Sequence, residues 1–404
     1  MWVVFVGGLV TLLAVFFAVR GGLGPGDAPI PSGRNEPPAG PQIVDDGTSW
    51  TMFGGNPGLT GRAETTLTET LKPLWKYKTG AEVKSSAAIV GDRVFVGSTD
   101  ASVYALDLHT GAKQWSYATE DIIEASPCVL DRVVYIGSGD GFLYALDAAT
   151  GQLKWKYETE GEILGAANWT DAPEGQARRV LVGSYDNRIH CVDAQSGAMV
   201  WTYETDNYIN GSPALADGQC AFGGCDALVH AISLADGSAV AEVDSGSYIA
   251  GSAAFLDGQV YVGNYDDVFL RVDIDDKRIA WTYDQSEGGI YSSPALTDDL
   301  VIFGSRDNLV HALRRDTGQV AWTFKTLGEV DSSPAISGDK VVIGSEDGRL
   351  YMLSLADGRQ LWSYEIGQPI YSSPAVARGA VVIGCDDGYV YAFGSVGPVE
   401  GTTP

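Results

Sequence analysis

One tryptophan-bearing pattern recurs along most of the chain and constrains its fold more than any other feature. The register positions are separated by 40, 40, 46, 40, 40, 41 and 40 residues, and the longest interval holds extra residues around Thr170 to Arg179. A fixed period of this length indicates a repeat architecture in which each unit packs on its neighbours. The eight positions are Trp75, Trp115, Trp155, Trp201, Ala241, Trp281, Trp322 and Trp362.

Each repeat has the pattern of four short strands joined by tight turns. A Ser-Pro-like start precedes an apolar run that ends in Gly-Ser or a near variant, and an Asp follows two residues later. An aromatic-led strand, a Thr-Gly or Asp-Gly turn and the Trp strand complete the unit. Four-stranded units with a period near 40 residues are typical of β-propeller blades. The Asp is present in all eight units, as Asp100, Asp140, Asp186, Asp226, Asp266, Asp307, Asp347 and Asp387.

The number of copies predicts how the ring closes. Eight copies of the first three strands run from Ser86 to Phe393, and no Trp strand follows the last copy. Trp75, by contrast, stands before the first copy. We therefore predict an all-β fold, an eight-bladed β-propeller of four-stranded antiparallel blades in which the N-terminal strand around PLWKYKT completes blade 8. Closing the ring in this way leaves no large exposed sheet edge.

The N-terminal residues predict a transmembrane helix. The run from Trp2 to Val19 is uncharged and mostly apolar, and as a helix it would extend about 27 Å. Neither a basic start nor a small-residue cleavage site is clear, which favours an uncleaved anchor over a signal peptide. The predicted organisation is 1–20 transmembrane anchor or signal-anchor, 21–49 Gly/Pro-rich tether, 50–72 pre-propeller segment, 73–395 propeller and 396–404 tail.

The side of the membrane is left open by the sequence. Arg20 and Arg34 follow the apolar run, and by the positive-inside rule they would hold the propeller in the cytoplasm. Two charges are weak evidence, however, because a long folded domain translocates largely regardless of them. We expect a membrane-anchored propeller on the extracytoplasmic side, in the periplasm or at the cell surface.

Charge and cysteine content narrow the possible partners. The chain has 52 acidic and 26 basic residues, a formal net charge of −26, and this field repels phosphate backbones, so nucleic acid is not expected as a partner. The cysteine spacings match no zinc or haem-attachment motif. We interpret the cysteines as small buried apolar residues rather than as a Cys220–Cys225 disulfide. The five are Cys128, Cys191, Cys220, Cys225 and Cys385.

The turn before the Trp strand carries a resemblance to a known family. The spacing Ala-x-Asp-x-x-x-Gly-x-x-x-Trp occurs in full from Ala105 to Trp115 and from Ala145 to Trp155. It resembles the tryptophan-docking motif of pyrroloquinoline-quinone (PQQ)-like propellers. The fourth unit departs from the pattern with Ala241 for Trp, and the fifth with Lys277 for the turn Gly. The resemblance implies docking on a neighbouring blade by Trp75, Trp115, Trp155, Trp201, Trp281, Trp322 and Trp362.

The resemblance covers about residues 50 to 395, including WTMFGGNPGLTG at 50–61, and it specifies fold rather than function. Members include PQQ-dependent alcohol dehydrogenases and non-catalytic BamB-like scaffolds of outer-membrane protein assembly. A quinone enzyme needs stacking surfaces, a divalent cation on carboxylate and amide oxygens, and a general base. The resemblance implies a disulfide of adjacent cysteines over the quinone, and this sequence has no adjacent pair. We expect no cofactor and no metal; PQQ with Ca²⁺ belongs only to the alternative.

The histidines and the recurrent aspartates are interpreted as structural. His190, His230 and His311 occupy the slot that Tyr104 and Tyr144 fill in other units, which indicates aromatic packing between strands rather than metal binding. The aspartates lie in turn contexts that explain them without a ligand. The sequence also lacks a nucleophile elbow, a phosphate-binding Gly loop and paired catalytic carboxylates. We therefore propose no catalytic residue.

Positions at which the repeats differ are the candidates for function. Every unit has Val or Ile three residues before the Ser register, and the next residue varies freely. We expect this residue, and the one before each hairpin Asp, to lie at one mouth of the central channel. Such a rim suits a small ligand or a peptide, and ordinary solvated loop residues are the equal alternative. The candidate rim is Lys84, Glu124, Asn210, Tyr291, Asp331, Tyr371, Tyr185, Tyr265, Arg306 and Glu346.

The sequence thus favours a membrane-anchored, non-catalytic scaffold that binds protein partners in the cell envelope, with a monomeric propeller. The first alternative is a PQQ-dependent alcohol dehydrogenase, or a relic of one that still binds the quinone. The second alternative is a sensor propeller that binds a small ligand at the rim.

Overall fold

The computed structural model describes residues 47–172 and 177–395. The predicted transmembrane anchor, nearly all of the tether and the tail lie outside these residues. Within the described ranges, no helix is long and apolar enough to cross a membrane. The transmembrane helix therefore stays a prediction, and the following description concerns the propeller.

The repeats fold into eight antiparallel sheets whose strands pair in chain order, so that each repeat forms most of one blade. The first strands of adjacent blades contact one another and surround the channel. Before the repeats lie β1 (Arg62–Ala63) and β2 (Lys72–Lys78). Blade 1 contains β3 Ala88–Val90, β4 Arg93–Ser98, β5 Ser102–Asp107 and β6 Lys113–Ala118, and blade 2 contains β7 Cys128–Leu130, β8 Val133–Gly137, β9 Phe142–Asp147 and β10 Leu153–Glu158. Blade 3 contains β11 Asn168–Thr170, β12 Arg179–Gly183, β13 Arg188–Asp193 and β14 Met199–Glu204, and blade 4 contains β15 Ala214–Ala216, β16 Gln219–Gly223, β17 Leu228–Ser233 and β18 Ala239–Asp244.

The second half of the ring repeats this arrangement and closes on the N-terminal strand. β2 pairs antiparallel with β33, with Trp75 opposite Ala392, which confirms the predicted closure and the eight four-stranded blades. β1 adds a parallel strand to the inner edge of blade 7. Blade 5 contains β19 Ala254–Leu256, β20 Gln259–Gly263, β21 Phe269–Asp273 and β22 Arg278–Tyr283, and blade 6 contains β23 Ala295–Leu296, β24 Leu300–Gly304, β25 Leu309–Arg314 and β26 Val320–Lys325. Blade 7 contains β27 Ala335–Ser337, β28 Lys340–Gly344, β29 Arg349–Ser354 and β30 Gln360–Glu365, and blade 8 contains β31 Ala375–Ala377, β32 Ala380–Gly384 and β33 Tyr389–Gly394 together with β2.

Tryptophans hold the outer parts of adjacent blades together. Trp115 of blade 1 donates its Nε1–H to the Ala148 carbonyl of blade 2 at 3.0 Å, and its ring covers Gly151. A Cβ at Gly151 would lie 2.7 Å from that ring, and the residue has a φ of +73°. The turn therefore needs glycine both for its conformation and for the close approach of the indole. The same indole-to-glycine contact recurs at Trp75–Gly111, Trp155–Gly197, Trp201–Gly237, Trp281–Gly318 and Trp322–Gly358.

The two departures from the Trp pattern lie at the same contact, between blades 4 and 5. The Trp position of each blade faces the turn of the next blade, so Ala241 of blade 4 faces the blade 5 turn that carries Lys277. With no indole to accommodate, this turn has a lysine at a φ of +52° in place of glycine. Trp362 differs again, since its ring packs against Phe393 of blade 8, with ring centroids 5.7 Å apart. Trp201 docks on Gly237 but its Nε1 has no hydrogen-bond acceptor among the described residues.

Hydroxyl groups join neighbouring blades close to the channel axis. The Ser86 N–H of blade 1 donates to Ser126 Oγ of blade 2 at 3.0 Å, and Ser373 N–H of blade 8 donates to Ser86 Oγ at 2.9 Å, closing the circuit. Among the described residues, seven of the eight links exist; the link from Ser126 is missing because the next blade has Ala166, which lacks a hydroxyl. We call this circuit the serine ring: Ser86, Ser126, Ala166, Ser212, Ser252, Ser293, Ser333 and Ser373.

Residues 50–61 close one end of the channel, and we call them the plug. The plug is bonded to the first strands of successive blades through its main chain, beginning with a mutual pair between Trp50 and Ile89 of blade 1 at 2.8 Å. Its carbonyl oxygens then accept N–H groups in blades 2, 4, 5, 6 and 7, namely Val129, Leu215, Phe255, Leu296 and Ile336. The side-chain amide of Asn168 bonds to the same segment from blade 3 at 2.8 Å.

The channel is filled between the plug and the serine ring. Trp50, Phe53 and Leu59 face ring serines across a residual cavity of ≈10 Å³, a volume at the lower limit for holding one water. Trp50 and Leu59 are buried. Since the plug bonds to residues that follow each ring serine in the chain, the open end of the channel is the other end, where the first strands begin. We call that end the mouth.

Candidate functional site

A main-chain hydrogen bond repeated in all eight blades shapes the mouth. The residue before each hairpin Asp donates its N–H to the carbonyl of the residue before the buried Val or Ile, as in Tyr265 to Tyr248 at 2.8 Å and Arg306 to Gly289 at 3.2 Å. The bond brings together the two rim slots that the sequence predicted, which are the residue after the buried Val or Ile and the residue before the hairpin Asp. It also adds a third slot, the residue before the Val or Ile, which the prediction did not include. The third-slot residues are Glu82, Ile122, Glu162, Tyr208, Tyr248, Gly289, Glu329 and Pro369.

Charged rim residues pair from one blade to the next. Lys84 Nζ of blade 1 bonds to Glu124 Oε1 of blade 2 at 2.9 Å. The Arg306 guanidinium of blade 6 makes two bonds to Asp331 of blade 7, at 2.7 and 3.0 Å. The structure therefore brings these four predicted residues together as two pairs across blade boundaries.

Tyr371 extends this network from blade 8. Its hydroxyl donates to Glu346 Oε2 of blade 7 at 3.1 Å. Burial and the nearby Asp331 raise the pKa of Glu346 above its usual value, partly offset by the bond from Tyr371. Carboxylates therefore crowd this side of the mouth.

Asp386 is the most perturbed carboxyl group at the mouth, and the prediction omitted it although it occupies a rim slot. Burial and then the charge of Glu82 raise its pKa to about 6, while Lys84 acts in the opposite direction. Its Oδ1 is buried and has no hydrogen-bond partner among the described residues. An acceptor of this kind lowers stability unless a donor reaches it.

Aromatic rings occupy the opposite side of the mouth. Tyr185 stacks on Tyr208 with ring centroids 5.0 Å apart, and Tyr265 packs edge-on against Tyr291 at 5.7 Å. The Arg306 guanidinium lies 3.6 Å from the centroid of the Tyr291 ring, which is a cation–π contact. Aromatic and charged halves thus meet at Arg306.

Asn210 contacts a residue that the prediction left out. Its Nδ2 lies 3.2 Å from Cys225 Sγ, and its Oδ1 has no partner among the described residues. Cys225 is half-buried, whereas the other four cysteines are buried in the core. The buried apolar interpretation thus describes Cys128, Cys191, Cys220 and Cys385 but not Cys225.

The predicted rim is incomplete for an identifiable reason. Lining up the eight repeats shows that the slot before the Val or Ile also varies, and this signal would have added Tyr208, Tyr248 and Glu329. Extending the pre-Asp slot to all units would have added Cys225 and Asp386. What the alignment does not contain is the hydrogen bond that brings the three slots to one place.

One acidic group has the spacing of a metal site. Ligand oxygens of Glu329, Asp331 and Glu346 lie within 4.8 Å of one another. Arg306 already pairs with Asp331 at 2.7 Å and Glu329 at 3.3 Å, so a guanidinium neutralises two of the three carboxylates. With Arg306 among them, these three carboxylates do not fit the Ca²⁺ that accompanies a quinone.

Three of the histidines form buried hydrogen-bonded chains that join the fourth strand of one blade to the next blade. His311 Nε2 lies 2.9 Å from Asp307 Oδ2, and its Nδ1 lies 3.1 Å from the Tyr283 hydroxyl. Burial disfavours the Asp307 carboxylate, but the bond to His311 and its charge lower the Asp307 pKa below its usual value. Equivalent chains contain His190 and His230. In other blades Tyr104 and Tyr144 donate to the hairpin Asp instead. The His or Tyr at this position therefore stabilises the hairpin turn.

Eight closed four-stranded blades with docked tryptophans define the chain as a PQQ-like β-propeller. A family model described as "Beta-alanine-activating enzyme, beta-propeller" matches residues 168–401, more than half of the 404 residues, and the chain belongs to this propeller family. A second model, "Outer membrane protein assembly factor BamB", matches residues 59–163. No curated protein matches the chain in sequence.

Solved structures support the fold at low sequence identity. BamB from Moraxella catarrhalis is 23% identical with a TM-score of 0.67, covering 81% of this chain and 100% of that one. Quinohemoprotein alcohol dehydrogenase from Comamonas testosteroni is 15% identical with a TM-score of 0.73, covering 88% and 82%. The computationally designed Ika8 protein is 19% identical with a TM-score of 0.70, covering 80% and 100%. BamB, an alcohol dehydrogenase and a designed protein thus share one fold with this chain.

Proposed function

We propose that this chain is a non-catalytic scaffold of the cell envelope that presents its channel mouth to partner proteins. The observation that carries the proposal is a mouth with exposed aromatic side chains above a closed floor. Tyr208, Tyr248 and Tyr265 are 48%, 55% and 53% exposed. Exposed tyrosines are enriched in protein interfaces, where their rings supply contact area at low entropic cost.

The shape of the mouth favours a macromolecular partner over a small ligand. Small-molecule sites bury most of the ligand in a cleft, whereas the space between the serine ring and the plug is reduced to ≈10 Å³, so a ligand at the mouth does not extend past the serine ring. A sensor or a quinone enzyme needs an enclosed pocket at this place. A peptide or a protein loop needs only the surface.

The matches to BamB support the cell-envelope setting. One family match and one solved structure carry that name, and the apolar run at Trp2–Val19 gives the chain a means of membrane attachment. We propose an uncleaved anchor and an extracytoplasmic propeller. Protease treatment of intact spheroplasts tests the orientation: degradation of the propeller supports it, and protection until lysis contradicts it.

Site-specific photocrosslinking tests the scaffold role. A benzoylphenylalanine placed at Tyr248 in the full chain, in the cells that produce it, is expected to capture a defined protein band. The same residue at Met199, which is 58% exposed on the outer strand of blade 3, is the matched control. Capture from both positions alike, or from neither, contradicts the proposal.

A second assay addresses catalysis. Incubation with PQQ and Ca²⁺, followed by desalting, is expected to leave no stoichiometric quinone absorbance and no alcohol-dependent dye reduction. Retained quinone with turnover would overturn the non-catalytic assignment, whatever the crosslinking result.

A further inference from the structure

Aromatic side chains line the mouth on four successive blades. Tyr185 and Tyr208 stack on each other, Tyr265 donates its N–H to the Tyr248 carbonyl, and Tyr265 contacts Tyr291. We call these five residues the tyrosine arc. Three of the residues are about half exposed, and exposed aromatic residues clustered at one end of a domain indicate an interaction site.

The segment that carries most of the arc is strongly acidic. From Ile189 to Ser305 the sequence contains 18 acidic and three basic residues. Arg271 bonds to the Arg315 and Asp316 carbonyls of the next blade's outer turn, and Lys277 and Arg278 lie at the corresponding turn of blade 5. Lys277 and Arg278 thus lie at a turn between a third and a fourth strand, and the Arg271 guanidinium reaches such a turn from β21, at the end of the blade away from the mouth.

The other side of the mouth has the same sign of charge. We call it the acidic arc, and its carboxylates outnumber its two cations, Lys84 and Arg306. The buried Asp386 Oδ1 lacks a donor among the described residues, so this side accepts a further positive group. The carboxylates of the acidic arc are Glu82, Glu124, Glu329, Asp331, Glu346 and Asp386.

Arg306 shows how the mouth binds a cationic side chain. Arg306 lies over the face of Tyr291 at 3.6 Å while its nitrogen atoms bond to Asp331. A guanidinium between an aromatic face and a carboxylate gains from both contacts. Tyr208 and Tyr248 offer the same kind of aromatic face, and no cation among the described residues lies over either ring.

We propose that the tyrosine arc is the docking surface for an extended segment of a partner protein that carries arginine or lysine side chains. The inference rests on the proposed scaffold function and names the chemistry of its partner. Charge complementarity selects this occupant: a second copy of the chain, at −26, repels the surface, and an acidic or neutral segment gains nothing from it.

Fluorescence anisotropy with defined peptides tests the proposal on the full chain in detergent. The probe is a fluorescein-labelled peptide of repeating Arg-Pro-Tyr units, with Glu-Pro-Tyr and Gln-Pro-Tyr peptides as charge controls. We expect saturable binding of the Arg peptide that weakens with added salt, and at least tenfold weaker binding of the Glu peptide, about the effect of 1.4 kcal/mol.

Variants of the arc localise the binding. Replacing Tyr208 and Tyr248 together with Ala is expected to weaken the Arg peptide about tenfold, since two cation–π contacts are lost. Phe at both positions keeps the aromatic faces and is expected to retain most of the affinity. Met199→Ala, at an equally exposed site on an outer strand, is expected to bind like the wild type.

The outcomes separate this inference from the proposed function. Equal binding of the Arg and Glu peptides, or wild-type affinity in the double Ala variant, overturns the basic-segment proposal. If Tyr248 crosslinks to a partner whose captured segment lacks basic residues, the scaffold role stands and the inference falls. If no position on the mouth crosslinks to a protein, the scaffold role itself falls.

Discussion

The plug and the mouth, at the two ends of one channel, are built from different parts of the chain. The plug bonds mainly through carbonyl oxygens, which accept from Val129, Phe255 and other residues of the first strands. The mouth shares one main-chain hydrogen bond in all eight blades, but its surface is made of side chains that vary among blades, such as Lys84, Tyr291 and Asp331. Main-chain contacts require a backbone path, whereas side-chain contacts require particular residues. The plugged end therefore depends mainly on the path of the backbone, and side-chain variety is concentrated at the mouth.

The comparison predicts that stability depends on the plug and on the tryptophan contacts between adjacent blades, which we call the seams, while binding depends on the mouth. The largest loss of stability is expected at a seam. Trp115→Ala removes a buried indole and its bond to the Ala148 carbonyl, and is expected to lower the free energy of unfolding by about 3–5 kcal/mol. Urea denaturation monitored by circular dichroism measures the change.

The natural exception supplies the control for this prediction. Ala241→Trp alone is expected to give no gain in stability, because Lys277 occupies the turn on which the indole would dock. Ala241→Trp combined with Lys277→Gly is expected to be more stable than the sum of the two single changes by about 1 kcal/mol. Strict additivity would show that the two departures are unrelated.

The plug is expected to show a smaller loss. A Cβ at Gly58 would lie 2.6 Å from the Phe255 carbonyl oxygen, so Gly58→Ala forces the plug away from blade 5 at a cost of about 1–3 kcal/mol. Thermal melting measures it, with the exposed Glu69→Ala as control. An unchanged melting temperature would mean that the plug contributes nothing to closure of the ring.

Asp386 gives the mouth a pH dependence. Its folded pKa of about 6 lies above the usual 3.8, so the folded state binds more protons than the unfolded state between these values. The stability contribution is therefore present at low pH and falls as pH rises through about 6. Asp386→Asn is expected to remove this fall and to gain about 1 kcal/mol near pH 7 once solvent screening is allowed for. Equal pH profiles for both proteins in urea titrations would refute the assignment.

The smallest effect on stability is expected at the rim tyrosines. Tyr291→Ala with Tyr371→Ala removes two half-buried side chains at the edge of the channel and is expected to lower the free energy of unfolding by less than about 1 kcal/mol. Partner binding is expected to weaken in the same variant. A stability loss as large as that of Trp115→Ala would place these tyrosines in the core and remove the contrast between mouth and seam.

The sequence predicted many of the residues that line the mouth, but not which of them contact one another. The register of the repeats identified ten rim residues, and the structure places Lys84 with Glu124, Arg306 with Asp331, and Tyr371 with Glu346. The pairings run from blade to blade, so residues 25 or 40 positions apart meet. Spacing along the chain gives each residue its slot, but the distance between slots of adjacent blades depends on how the blades pack.

The sequence by itself determined the repeat, the number of blades and the closure by β2, because strand periodicity and turn residues are local properties that eight copies report together. The tertiary structure decided the plug, whose twelve residues follow no repeat and are held in place by hydrogen bonds to seven blades. It also decided that Ala241 and Lys277 belong together and that tyrosines and carboxylates separate into two arcs. These features exist only where blades meet, since each depends on a contact between residues far apart in the chain.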